Sequence, residues 1–204
     1  MDIVIKQLAK KDFNHARKFA IKGMHLDWYT NNKVELYLYS KYFWSLEIDK
    51  ATNAYGAYLG DKLVGVLLAD MVKAKQLFPS WQRKVFIKFS QWIVGKFYGK
   101  MSGQYDQVNI EMLAEYQKTH IIDGELNFFA VDPNILGKGL GTQLLERFNT
   151  EESGKSIYLY TDSGSTYQFY FHRGFSIAGQ REVTLEKGDK IVPLTCYLLT
   201  KTLG

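Results

Sequence analysis

The sequence has one cysteine, Cys196, in 204 residues, so no internal disulfide can form. That fits a reducing, cytoplasmic setting. Prolines are few, and no low-complexity linker or internal repeat interrupts the chain, which reads as a single domain over 1–204. No apolar leader-like region opens it, and no run approaches the ~18 apolar residues that cross a bilayer, so no transmembrane segment is expected. The histidines, His15, His25, His120 and His172, are dispersed without metal-ligand spacing, and no metal is expected. No serine nucleophile elbow is present. Cys196 alternates with Leu194 and Leu198, the pattern of a buried strand residue and not of a nucleophile. Acid is missing from 72 to 103, which holds Lys73, Lys75, Arg83, Lys84, Lys88, Lys96 and Lys100.

What remains is a chain with an ordinary hydrophobic share, 46%, and a high aromatic one, 15%. Net charge is +5, which suits an anionic ligand, a nucleic acid or a membrane surface. No nucleic-acid module surrounds the basic residues, so nucleic acid is not an expected partner. Alternation predicts a strand over 2–8. Asp12 reads as a helix cap, with Phe13, Ala16, Ala20 and Met24 near one face and Gly23 as a stop. Asn31-Asn32 opens a Tyr-rich helix over about 34–48. Strands over 54–59 and 62–71 flank a Gly60-Asp61 turn. Pro79 suits the first turn of a helix to about Tyr98. On it Trp81, Val85, Phe89, Trp92 and Ile93 share a face, with Lys84, Lys88 and Gln91 opposite. That pattern predicts a helix packed apolar side inward; a cover over a cleft, or a membrane or nucleic-acid contact, are the other uses of such a face. A helix over 106–120 follows. Strands over 156–161, 175–185 and 191–200, with a short helix over 166–173, complete the chain.

The informative stretch is 126–148, LNFFAVDPNILGKGLGTQLLERF. A buried-strand run, Leu126 to Val131, is broken by Asp132-Pro133-Asn134. A turn, Gly137-Lys138-Gly139-Leu140-Gly141, leads into a helix from Thr142 with Leu144, Leu145 and Phe148 on one face. Strand, glycine turn and helix form an anion cradle, because the first-turn N–H groups of a helix have no partners within it. A nucleoside-triphosphate P-loop needs a Gly-Lys-Ser/Thr ending, but Thr142 follows Gly141 directly. A dinucleotide fingerprint needs Gly-x-Gly-x-x-Gly in an early βαβ unit, and Gly141 comes one residue short and past mid-chain. The pyrophosphate of coenzyme A remains.

Here the sequence resembles motif A of the GCN5-related N-acetyltransferases, a Val-x-Pro followed by Gln/Arg-x-x-Gly-x-Gly/Ala, through Val131-Asp132-Pro133 and Leu136 to Gly141. Leu136 stands where that family prefers Gln or Arg. Phe169-Tyr170-Phe171-His172-Arg173-Gly174-Phe175 resembles its motif B, with Ser163 and Thr166 in place of an Asn and an Ala. The resemblance implies an α/β fold of the α+β kind. Its sheet has seven strands, mixed and mostly antiparallel, with parallel, splayed fourth and fifth strands and helices on both faces. Residues 72–120 form a helical insertion between the third and fourth strands. It implies acetyl-CoA as cosubstrate and an amine acceptor, with homodimers common in the family. Carried over, the backbone at Phe129 and Val131 holds the pantetheine, and the amides of Gly137, Lys138, Gly139, Leu140, Gly141 and Thr142 hold the pyrophosphate. Ser163 and Phe169 line the cofactor channel, although an aromatic such as Phe169 in a short helix is ordinarily core. Tyr170 protonates the leaving thiolate.

The amine must be neutral to attack, so a base is needed. Glu125 is six residues before Val131, and strict alternation puts it on one face with Asn127, Phe129 and Val131. Its offset from the glycine turn also matches a catalytic Glu of some family members. Asp123 has the same parity and is the reserve. The expected activity is N-acetyl transfer from acetyl-CoA to a primary amine of a small molecule or peptide. The second reading is a non-catalytic acyl-CoA-binding sensor or interaction module. Trp28, Tyr29 and the tyrosines of 37–42 suggest an aromatic acceptor pocket.

Overall fold

The computed structural model describes residues 2–23, 26, 32–98, 103–135, 138–187 and 190–204. Strand β1 is Ile3–Gln7 and helix α1 Phe13–Gly23, entered through a 3-10 turn at Lys10–Asp12. Helix α2, Lys33–Lys50, starts at Asn32, whose Oδ1 accepts from the N–H groups of Val34 (2.9 Å) and Glu35 (3.3 Å). Strands β2, Asn53–Leu59, and β3, Lys62–Met71, form the expected hairpin. Helices α3, Trp81–Tyr98, and α4, Gly103–Tyr116, precede β4, Gly124–Val131. Helix α5, Leu140–Glu151, strand β5, Ser156–Asp162, and the single-turn helix α6, Gln168–Phe171, come next. Strands β6, Ser176–Lys187, and β7, Lys190–Thr202, close the chain.

The strands form one sheet in the order β1-β2-β3-β4-β5-β7-β6, and β4 and β5 run parallel among otherwise antiparallel neighbours. Alternate side chains serve opposite faces. On one face Val66, Leu68, Phe128 and Ala130 meet Ala16, Ala20, Trp44 and Ile48 of α1 and α2. On the other, Leu67, Ala69 and Leu126 meet Leu140, Leu144, Leu145 and Phe148 of α5, the face that the helix spacing predicts. Helix α4 supplies a third apolar group, in which Met112 joins Val183, Leu194, Cys196 and Leu198 beside Tyr158 and Tyr160. The insertion therefore builds core. Cys196 is fully buried there, and burial pushes its thiol pKa up to about 12.

Helix α3 departs from expectation. Its inner side is a narrow strip: Arg83 pairs with Asp49 of α2 at 3.0 Å, Lys41 lies 5.0 Å from the Phe86 ring centroid, and Ile87 is buried. Trp81, Val85, Phe89 and Trp92, assigned inward by their spacing, are exposed, and Lys84 and Lys88 are exposed beside them. The apolar stripe and the packed strip are different sides of the helix. No helix among the described residues is long and apolar enough to cross a membrane.

Candidate active site

The parallel pairing of β4 with β5 consists of Gly124↔Ile157 and Glu125↔Tyr158. Beyond that the strands part, leaving a wedge between Leu126–Val131 and the second half of β5. Asp123 pins the closed end: its N–H donates to the Ser156 carbonyl at 2.7 Å, and its Oδ2 accepts from the Ser156 N–H at 2.8 Å. That carboxylate joins the strands, which argues against Asp123 as a base.

The open end faces the start of α5. Gly139 caps that helix at φ 61° and ψ 27°, a left-handed conformation in which glycine is favoured, with open space where a side chain would point. The N–H of Gln143 makes the first helical bond, to the Gly139 carbonyl at 2.9 Å. The N–H groups of Leu140, Gly141 and Thr142 are therefore free of helical partners. Lys138 is exposed and its carbonyl accepts from Gln143 Nε2 at 2.9 Å. Leu140 is buried and anchors the helix start. Packing calls for glycine at 141: a Cβ there meets two Phe169 ring carbons at 3.1 Å and one of Phe129 at 3.3 Å. Gly137 and Leu136 lie outside the described residues, as do Trp28 and Tyr29.

The expected aromatic residues gather on this α5 side. Phe129 lies 5.5 Å from Phe169 and 6.2 Å from Tyr170 between ring centroids. Tyr170 meets Phe175 edge-on at 5.5 Å. Its hydroxyl has no hydrogen-bond partner among the described residues, and burial pushes its pKa above the usual 10. Arg173, which no motif assigns a role, stands here too. Its guanidinium lies 4.3 Å from the Phe169 ring centroid and donates to Thr142 Oγ1, while its Nε is buried without a partner. An arginine three residues after the motif-B tyrosine is the only signal that pointed to it. Val131 is exposed at the end of β4. Asp132, next to it, is buried, and its Oδ1 accepts from the Asn134 N–H at 3.0 Å. That bond, then Asn134 Nδ2 and Lys62, hold the Asp132 carboxyl below the usual range. Ser163, just after β5, is pinned to β7: its Oγ accepts from the Thr195 N–H at 3.0 Å and its N–H donates to the Thr195 carbonyl at 2.9 Å.

Glu125 is elsewhere than alternation predicts. Asp70 of β3 pairs with Glu125 and Leu68 with Phe128, so β4 carries one residue more than β3 between them. This bulge at Leu126-Asn127 shifts the parity. Phe129 faces α5 and α6, whereas Glu125 faces α2, where Lys50 Nζ stands 3.9 Å from Oε2. Asn127 follows Glu125, its Nδ2 donating to Glu47 Oε2 at 2.6 Å. Glu47 is buried, and burial, only partly offset by Lys50 and Asn127, raises its pKa. Burial alone lowers the Lys50 pKa, but Glu47 and Glu125 outweigh it and the ammonium is held. Glu125 also stands beside the Tyr158 phenol; burial first, then the charge of that carboxylate, raises the phenol pKa. A cavity of about 300 Å³ opens on this face, lined among others by Asp70, Lys73, Gln117, Glu125 and Tyr158. Of the tyrosines of 37–42, Tyr37 is exposed under the Arg17 guanidinium, 4.6 Å from its ring centroid, and Tyr39 packs on the core.

A seven-stranded sheet whose parallel fourth and fifth strands part in front of a glycine-capped helix decides the architecture. The chain has the fold of the GCN5-related N-acetyltransferases. Among solved structures of this fold, a histone acetyltransferase HPA2 and related acetyltransferase from Corynebacterium glutamicum is 18% identical, with a TM-score of 0.58 over 100% of this chain and 98% of that one. An agmatine N-acetyltransferase variant is 12% identical, with a TM-score of 0.60 over 98% and 100%. An Arabidopsis thaliana protein in complex with the bisubstrate analogue CoA-Ac-MVNAL is 15% identical, with a TM-score of 0.50 over 99% of both chains. No protein-family model and no curated protein matches the sequence.

Proposed function

We propose that the protein is an acetyl-CoA-dependent N-acetyltransferase acting on a primary amine of a small molecule or peptide. The observation that carries this reading is the wedge: two parallel strands paired only at Gly124-Glu125 and open toward the first turn of α5. Parted strand edges leave backbone donors and acceptors for the amides of a pantetheine arm at Phe129 and Val131. The N–H groups of Lys138 to Thr142 receive a pyrophosphate, with Arg173 adding positive charge beside Thr142. Gly137 belongs to the same cradle by its motif. Phe169 borders the channel through its contact with Gly141, and Ser163 follows the strand that forms its far wall.

Glu125 and Tyr170 face opposite sides of the sheet, one toward α2 and the other toward α6, on either side of the wedge. An amine entering from the Glu125 side gives a proton to that carboxylate, directly or through a water. Its nitrogen then bonds to the acetyl carbon as the carbon–sulfur bond breaks, Tyr170 on the other side supplies a proton to the departing sulfur, and the proton that the new amide nitrogen must shed leaves to solvent, from which Tyr170 is reprotonated. The raised Tyr170 pKa keeps that proton in place at neutral pH.

The test is incubation with acetyl-CoA and a panel of diamines, amino acids and peptides, following thiol release and the acetyl mass increment. Transfer to at least one amine is expected. Acetyl-CoA binding with no transfer to any amine makes the protein an acyl-CoA-binding module instead. Absence of binding refutes both readings.

A further inference from the structure

Helix α3 presents large apolar side chains to solvent. Trp81 is 74% exposed, Val85 59%, Phe89 59% and Trp92 62%. At 100° per residue the four fall within roughly 80° of arc, a continuous stripe along the helix. Lys84 and Lys88 are exposed along one border of that stripe. From Val72 to Tyr105 every charged residue is Lys or Arg. The helix is held from its other side, by the Arg83–Asp49 ion pair and the buried Ile87. Single exposed apolar residues are ordinary, but four in one stripe, two of them tryptophan, mark an interaction surface.

The charge pattern selects the occupant. A second copy docking by the same stripe brings a surface of the same positive sign and no acid from 72–105 to pair with Lys84 and Lys88, because a two-fold contact uses the same patch on both copies. A nucleic acid satisfies the lysines but offers no seat for Val85 beside Phe89. An anionic bilayer supplies both parts: negative headgroups for the lysines and an apolar boundary for the stripe, with tryptophans at the depth they favour.

We propose that α3 docks on an anionic membrane surface. Trp81, Val85, Phe89 and Trp92 enter the boundary between headgroups and acyl chains, and Lys84 and Lys88 meet lipid phosphates. This inference is independent of the acetyl-transfer reading.

The experiment is co-sedimentation of the full chain with vesicles of equal parts phosphatidylglycerol and phosphatidylcholine, against phosphatidylcholine alone, with tryptophan emission recorded on the same samples. Binding and a blue shift are expected with the anionic vesicles only, weakening as salt rises. Lys84→Gln with Lys88→Gln weakens binding about 30-fold, at about fivefold per lysine. Trp81→Ser with Phe89→Ser removes binding while circular dichroism and melting stay at wild-type values, since both side chains are outside the core. No sedimentation with either vesicle overturns the proposal, as does equal binding to neutral vesicles. A dimer in sedimentation equilibrium that the Trp81→Ser, Phe89→Ser chain fails to form assigns the stripe to a second copy. Oligonucleotide binding that outcompetes the vesicles assigns it to nucleic acid.

Discussion

Substituting Gly141 by Ala separates the two jobs of the glycine turn. Gly141 lies in the first turn of α5 without a positive φ, so its backbone accepts a side chain, and Ala is the better helix former by about 1 kcal/mol. Against that, the added Cβ sits 3.1 Å from two Phe169 ring carbons and 3.3 Å from a Phe129 carbon. Overpacking of this kind costs about 1–3 kcal/mol. The Phe169 ring has little room to yield, since the Arg173 guanidinium covers it at 4.3 Å and Tyr170 meets it edge-on at 5.4 Å. The two effects leave a net loss of at most about 2 kcal/mol, a fall in Tm within about 8 °C for a chain of this size. The rings that move border the proposed cofactor channel, so acetyl-CoA affinity falls about tenfold, or about 1.4 kcal/mol. The assay is calorimetric titration with acetyl-CoA alongside thermal melting. Phe169→Leu relieves the contact, so combining it with Gly141→Ala costs less affinity than the separate losses together. Wild-type affinity in Gly141→Ala, or strict additivity in the pair, refutes the reasoning.

Tyr170→Phe should lower kcat at least tenfold with little change in acetyl-CoA affinity, read by steady-state kinetics and titration; equal loss of both, or of neither, removes its role as proton donor. Glu125→Gln should slow transfer and abolish the acidic limb of the pH–rate profile, and survival of that limb assigns the base elsewhere. Asp132→Ala should cost about 1.5–3 kcal/mol in urea unfolding at neutral pH, from charge-assisted bonds to Asn134 and Lys62. The Asp132 carboxyl is held low, so its contribution is present above the ordinary value of 3.8 and disappears as pH falls through the folded value. The variant and the parent should therefore converge in stability in strong acid, and a gap that persists there contradicts the linkage.

Much of the architecture was legible because local signals agreed with one another. Asn32 reads as a cap and is one; Gly60 turns a hairpin at φ 61°; the spacing of Leu144, Leu145 and Phe148 marks the buried side of α5. Phe129, Phe169, Tyr170 and Gly141 were found through motif spacing, and the fold brings them together. Glu125 was located by counting in twos, and the count failed at Leu126-Asn127, where one extra residue in β4 moved the carboxylate to the α2 face. Nothing in LNFF announces a bulge, because apolar residues serve both faces of a central strand. Lys50, Glu47 and Tyr158 were missed for a related reason: two come from α2 and one from β5, and they gather around Glu125 of β4 only once the sheet is assembled. The apolar stripe of α3 was read as core because periodicity reports that a helix has two sides and not which one the protein covers. Short α6, four residues where eight were expected, is followed by a turn that closes at a motif glycine, Gly174 at φ 79°, that the sequence did mark.

Amide hydrogen exchange with and without acetyl-CoA tests the central claim most directly, because it maps contact onto the wedge without assuming an acceptor. Protection should rise at Leu126–Val131 and at Lys138–Gln143 and stay unchanged along α3. Unchanged exchange at both segments under saturating acetyl-CoA, or protection confined to another part of the sheet, contradicts the account.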